Sequence, residues 1–282
     1  MSEILVTGAT GNVGRVVVEE LVAAGAAPVR AVVRRPEAAG LPGEVRVFGG
    51  DLSRPESLEA ALKGSDTVFL VWPFLTAEGA PAVLEAIARQ ARRVVYLSSS
   101  GVDDAAGRQT DPINQLHADM ERLIAASGLG WTVLRANTIA SNARGWAEQI
   151  RATDAVRGPD IAATAVVHER DIAAVARRVL TEDGHEGATY VLTGPEVLSR
   201  AEQVRAIGEA IGRPVRFESV PVAVARQRML ADGRPPVLVE ALLASAESRS
   251  RSDVVTSTVE GLTGAPARSF RTWAEEHADI FR

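Results

Sequence analysis

Residues 3–25 read EILVTGATGNVGRVVVEELVAAG, and the rest of the chain is laid out around them. An apolar β-type run, Glu3 to Val6, meets three glycines spaced three apart, Gly8, Gly11 and Gly14. The glycines pass directly into a segment in which Val13, Val17 and Leu21 recur at helical spacing. Each glycine has a mechanical task. Gly8 permits the tight turn off the strand, Gly11 lets backbone approach a pyrophosphate, and Gly14 lets the helix pack against the sheet. The N–H groups that open the helix are unpaired and lie at its positive end, so they attract phosphate. Gly8, Thr10, Gly11, Asn12 and Val13 are therefore the expected nucleotide contacts of this loop. A glycine-rich string says little alone; the strand before it and the helix after it are the context it requires. The alternative is a plain βα turn whose glycines serve packing.

Composition narrows the function classes. A chain of 282 residues can bury a substantial core, and 46% hydrophobic with 24% charged residues is an ordinary globular balance. A net charge of -5 without a basic block argues against a nucleic-acid partner. The absence of cysteine removes disulfides, thiolate metal sites and a thiol nucleophile, and is compatible with a reducing compartment. No apolar stretch reaches the length of a membrane span, and the N-terminus lacks the pattern of a secretory leader, so a cytoplasmic location is expected. No sequence feature sets an oligomeric state.

Outward from the glycines, PVRAVVRRP supplies a second strand, Val29 to Val33, ending in Arg34 and Arg35. An NAD site usually places an acid about 20 residues beyond the glycines, whereas an arginine there accommodates a 2′-phosphate. Arg34 occupies that position, which favours NADP(H) over NAD(H); the plainer reading is a solvated arginine pair. EVRVFGG gives a third strand (Val45 to Phe48), and SRPESLEAAL a helix with Ser53 and Glu56 as a capping box. DTVFLVWPFL is nearly continuously apolar, as a parallel strand buried on both faces should be. Its end, Val71, Trp72 and Pro73, is expected beside the cofactor, since ligands bind outside the carboxyl ends of such strands. Trp72 either stacks on a ring or covers the core. RVVYLSSSGV is a fifth strand and Trp131 to Leu134 a sixth. Strands alternating with helices make an α/β fold, a doubly wound parallel sheet of Rossmann type.

Beyond residue 136 the alternation loosens. His168 to Glu182 is helical with Ile172, Val175, Val179 and Leu180 on one face, GATYVLTGP a strand, and SRAEQVRAIGEAIG a helix capped by Ser199 and Glu202 and stopped by Gly212. VRFESVP is a short strand, with further helices near Val237 to Glu247 and Ala267 to Phe281. The polar segment Ser245 to Asp253 reads as a flexible connection. The expected division is a nucleotide-binding domain over residues 1–136 and a smaller α/β substrate lobe over 137–282, interleaved with it.

TGATGNVG, LSSSG, SGLGWTVLRAN followed by Asn142, RDIAAVARRVLTEDGHEGATYVLTGPE and a tail with Trp273 cover nearly the whole chain. Together they resemble the NmrA-like, NAD(P)H-binding group of atypical short-chain dehydrogenases, which includes quinone reductases and isoflavone-reductase-type enzymes. The resemblance implies that Asp51 and Leu52 contact the adenine; from local chemistry alone Asp51 is equally a turn residue ahead of a helix. It implies that Ser100 offers its hydroxyl to a substrate oxygen, with Ser98 nearby on the cofactor. The chain departs from the group at Ala136, where a proline is usual. The wider superfamily's Tyr-xxx-Lys pair is missing: Ile113 stands at the tyrosine position and His117 at the lysine position.

The helix from Pro112 to Ser127 sends Ile113, Leu116, Met120 and Leu123 toward the core, with His117 beside that stripe and Glu121 one turn further. An imidazole here could protonate a developing alkoxide or enolate, with Glu121 holding its tautomer. A helix-face histidine paired with a glutamate is the alternative. Asn137 and Thr138, after the sixth strand, are expected to border the nicotinamide. His168, Glu169 and Asp171 lack a metal-binding spacing and read as an acidic helix start. No GxSxG elbow supports a hydrolase. The expected activity is NADPH-dependent reduction of a small carbonyl, quinone or activated alkene, with His117 and Ser100 as the catalytic candidates. A non-catalytic NADP(H) sensor with a protein partner is the rival, and an isomerase or lyase that retains the nucleotide is a third reading.

Overall fold

The computed structural model describes residues 3–25, 27–248 and 253–282. Strand β1 (Glu3–Val6) runs through the glycine loop into helix α1 (Asn12–Ala24), which ends where Gly25 turns left-handed at φ 58°. Val13, Val17, Val18 and Leu21 form the buried face of α1. The helical spacing read in the sequence is thus the face that meets the sheet. Next come β2 (Val29–Val33), β3 (Arg46–Gly49), the single-turn α2 (Glu59–Leu62), β4 (Ser65–Leu70), α3 (Ala80–Ala88), β5 (Arg93–Ser99), α4 (Pro112–Ala125) and β6 (Gly130–Ala136). The second half adds α5 (Ala147–Thr153), β7 (Ala155–Gly158), α6 (Glu169–Thr181), β8 (Ala188–Leu192), α7 (Arg200–Ile211) and β9 (Arg216–Ser219). It closes with α8 (Val222–Ala231), α9 (Pro236–Ser248), α10 (Thr258–Thr263) and α11 (Phe270–Glu276).

Seven strands pair in the order β3-β2-β1-β4-β5-β6-β8, every pair parallel. The chain reverses its direction of sheet growth between β1 and β4, which is where a doubly wound sheet opens a crevice at its carboxyl edge. Apolar side chains fill both faces, with α1 and α6 on one and α2, α3 and α4 on the other. Helix α6 and strand β8 come from beyond residue 136, and Arg177 of α6 reaches Glu20 of α1 at 3.0 Å. A separate parallel pair, β7 with β9, packs with α7 and α11 around Trp273, Phe270 and Phe281. Helices α8 and α9 close on a small cluster of Ala225, Val239 and Leu243.

Two capping boxes were expected and one forms. Ser199 accepts from the Glu202 N–H, the Glu202 carboxylate accepts from the Ser199 N–H, and Gly212 ends α7 left-handed at φ 74°. Ser53 instead turns back, its hydroxyl and N–H both donating to Asp51 Oδ1 at 2.8 Å, and the segment starts as a 3-10 turn at Pro55–Leu58. An aspartate two residues upstream outcompetes the cap. Strand β7 and helices α8 and α10 were not anticipated. Of the connection expected at Ser245 to Asp253, residues 245–248 complete α9 and 249–252 lie outside the described residues. No helix among the described residues is long and apolar enough to cross a membrane.

Candidate functional site

The glycine loop is held by its own backbone. Gly8 sits at φ 61°, where only glycine is unstrained, and its carbonyl accepts the Gly11 N–H at 2.8 Å. A side chain on Gly14 would place its Cβ 2.3 Å from that same carbonyl oxygen. The third glycine therefore lets α1 close on the loop itself. Thr7 ties the loop to the end of β4, its Oγ1 accepting from the Val71 N–H at 2.8 Å and donating to the Val71 carbonyl at 3.2 Å. A Cβ on Gly8 would meet Val71 Cβ at 3.0 Å. Thr7 was not singled out in the sequence; a polar residue between an apolar strand and the first glycine is the signal that was there.

No side chain caps the N-terminus of α1. Its first N–H groups face outward beside the exposed Gly8, Thr10, Gly11 and Asn12. The cradle fits a diphosphate: glycine backbone, uncapped donors and the positive end of a helix. The Val13 side chain is 6% exposed and belongs to the core, so only its backbone can serve a ligand.

At the end of β2, Arg34 and Arg35 are exposed and neither pairs with a carboxylate of a described residue. Hydrogen bonds from Ser53 hold the Asp51 carboxyl below its ordinary range, with smaller contributions from Arg54 and Arg34. Leu52 is buried with Leu58. Of the two readings of Trp72, core cover holds: it is 7% exposed, packs edge-on to Phe74 and donates Nε1–H to the Thr76 carbonyl at 2.8 Å. Val71 is half-buried against the loop and Pro73 is exposed.

Two strands further along the same carboxyl edge lies a cavity of about 1540 Å³. Its near wall carries Ser98, Ser100, His117 and Asn137, and its far wall is built from β7, α8 and α9. Ser98 is 4% exposed and its hydroxyl is spent on Glu121 Oε1 at 2.5 Å. Ser99 donates to Asn114 Oδ1 at 2.8 Å. The Ser100 N–H donates to the Ala136 carbonyl, while its hydroxyl has no partner among the described residues. Asn137 borders the cavity with Oδ1 accepting from the Thr138 N–H at 2.7 Å.

Two expectations about α4 are corrected. Ile113 does not join the core stripe: Leu116 and Met120 do, whereas Ile113 lines the cavity, because the first turn of α4 projects past the edge of the sheet. Glu121 does not hold His117. Its carboxylate is taken by Ser98 and by Arg135, whose guanidinium also grips Asp104. The partner of His117 is Tyr96, with the hydroxyl 2.8 Å from Nδ1. Sequence signals existed for both. A buried tyrosine or arginine on a strand must find a polar partner, and α4 crosses β5 and β6 where these two emerge.

Burial pushes His117 down to about 4, so it is neutral at physiological pH. Burial and the Glu121 charge push the Tyr96 hydroxyl well above its ordinary range, so it too is neutral. With the tyrosine donating to Nδ1, the imidazole proton resides on Nε2. That nitrogen has no protein partner among the described residues and is not sealed from the cavity.

Away from the cavity, the acids at the start of α6 are structural. Asp171 is paired with Arg268, and Glu169 accepts Trp273 Nε1–H at 2.9 Å, pinning α11 to the sheet domain.

A family described as NAD(P)H-binding matches residues 8–183. The (4-alkanoyl-5-oxo-2,5-dihydrofuran-3-yl)methyl phosphate reductase of Streptomyces griseus is 42% identical, covering 99% of both chains. The NAD(P)H azoreductase of Xenophilus azovorans is 35% identical with the same coverage of both. Among solved structures, the Citrobacter triphenylmethane reductase complexed with NADP(H) superposes with a TM-score of 0.80 at 24% identity, over 99% of this chain and 100% of that one. The Escherichia coli NADPH-dependent quinone oxidoreductase gives 0.79 at 24% identity, over 99% and 100%.

Proposed function

The chain belongs to the NAD(P)H-binding family and is an oxidoreductase, and from that premise we propose that it reduces a small carbonyl, quinone or activated alkene with NADPH. One observation carries the reading. An imidazole whose Nε2 has no partner among the described residues lines a large cavity at the carboxyl edge of the sheet, on the edge that also bears the glycine cradle. The relatives' names point to a 4-alkanoyl-5-oxo-dihydrofuran and to azo compounds, both of which carry electron-poor double bonds that can accept a hydride.

When bound, the nicotinamide supplies hydride. The uncapped start of α1 and the loop glycines hold the diphosphate, and the Thr7 latch fixes the loop against β4. Arg34 takes the 2′-phosphate with a fork of donors that forms no ion pair with a carboxylate of a described residue. His117 acts as a neutral donor: Nε2–H binds the oxygen on which negative charge develops, and Tyr96 keeps that tautomer by donating to Nδ1. The Ser100 hydroxyl offers a second donor to the same oxygen. The proton that completes the reduction comes from water.

The test is loss of NADPH absorbance with a panel of quinones, enones and azo dyes. Turnover with at least one acceptor is expected, and His117→Ala should lower kcat about a hundredfold while NADPH affinity holds. Tight nucleotide binding with no turnover on any acceptor would contradict the reading and favour a nucleotide sensor.

A further inference from the structure

The far wall of the cavity holds more positive charge than a neutral substrate needs. Arg157, Arg200, Arg228 and Arg234 line it, against Glu148 and Asp232. Two of the four are engaged: Arg157 is 2.6 Å from Glu218, and Arg200 donates to the Pro159 carbonyl at 2.7 Å. The side chains of Arg228, on α8, and Arg234, in the turn before α9, have no ion pair or hydrogen bond with any described residue. Arg228 is exposed and Arg234 half-buried. Arg226, on the same helix but outside the cavity, is clasped by Glu240 at 2.8 Å. The paired arginine of α8 thus stays outside while the unpaired one faces in. The same wall also carries the Thr164 hydroxyl, buried without a hydrogen-bond partner. A buried polar atom of this kind calls for a polar ligand group.

We infer that Arg228 and Arg234 form an anion subsite, and that the substrate carries a phosphate-monoester or carboxylate head opposite its reducible end. Guanidinium groups bind such heads through paired, charge-assisted hydrogen bonds. The cavity is also lined by Ile161, Met229 and Leu242, which suits an apolar body. Helix α9 joins the two walls, with Ser248 Oγ 3.3 Å from Asp111 Oδ2 at the start of α4. The subsite rests on the reading of this cavity as the substrate site.

The experiment uses one hydroxymethyl-dihydrofuranone acceptor in three forms: the free alcohol, its phosphate ester and its succinate half-ester. KM is measured for the full chain, for Arg228→Gln/Arg234→Gln and for the control Arg226→Gln. Wild type should take at least one anionic form with a KM at least tenfold below that of the alcohol. The double variant should erase that preference, raising the anionic KM about 10- to 100-fold and leaving the alcohol unchanged, and the control should behave as wild type. A phosphate-only preference identifies a dianion site, and a preference for both esters a general anion site. Equal KM for all three forms in wild type, or equal losses for all three in the double variant, would overturn the subsite. Calorimetric titration of both esters into the NADPH-loaded protein reads the subsite without turnover. Ester binding that the double variant loses, with no acceptor reduced, keeps the subsite and sinks the reductase reading; no ester binding sinks the subsite.

Discussion

The glycine loop lies at the carboxyl edge of the sheet, the α8–α9 wall bounds the cavity further along that edge, and the two are held by opposite means. The loop is backbone against backbone: the Gly8 carbonyl receives the Gly11 N–H, and the Gly14 Cα lies so close to it that a methyl group has no room. Helices α8 and α9 pack on a small cluster of buried Ala225, Val239 and Leu243, with Val220, Val222 and Met229 partly buried against it. In the proposed function the part that holds the cofactor is fixed by sterics that no side chain can relax, and the part assigned to the substrate is a thin layer of side chains over a small core, where replacement is cheap.

The sharpest way to break that contrast is one methyl group in the loop and one in the cavity lining. Gly14→Ala should abolish NADPH binding in calorimetry and cost about 1–3 kcal/mol of stability by melting, since its Cβ would sit 2.3 Å from a carbonyl oxygen. Gly145→Ala, in the cavity wall with open space around it, should shift stability by less than about 0.5 kcal/mol. Equal effects would erase the distinction.

His117 lines the cavity on the wall opposite α8 and α9, and its titration sharpens the comparison. Its value of about 4 lies below the ordinary 6.5, so between those pH values the unfolded chain binds a proton that the folded chain refuses. Stability is therefore full above pH 6.5 and declines as the pH falls toward 4, by about 3 kcal/mol in total. His117→Gln should flatten that limb of the melting-temperature profile. For the same reason kcat should show no histidine inflection between pH 6 and 8; an inflection there would mean an imidazolium acid.

The smallest expected effect concerns cofactor choice. Arg34→Ala should weaken NADPH about tenfold or more and leave NADH unchanged. Equal losses would remove the basis for the phosphate preference.

What could be read in advance follows the same division. The nucleotide half was legible because its signals are local: strand, three glycines, helix, then buried strands at regular intervals. The bounds of β2 were read without error from its apolar run. Capping chemistry was legible only where nothing competed, at Ser199 and not at Ser53, whose hydroxyl is taken by Asp51. The wall that carries His117 was half legible. His117 stood out by residue type, but its partner Tyr96 lies 21 positions upstream, and Glu121 sits at the right helical spacing yet serves Ser98 and Arg135. Of the far wall only α9 was legible, as the helix expected near Val237 to Glu247. Helix α8 has no apolar stripe, burying Ala225 alone, and β7 is four residues recognisable only by its pairing with β9.

Direct titration of the purified protein with NADPH and NADH by calorimetry tests the central claim, that the loop after β1 holds a dinucleotide diphosphate. The account predicts one-site binding of NADPH with a Kd of about micromolar or tighter, and weaker binding of NADH. No binding of either nucleotide, oxidised or reduced, would contradict it.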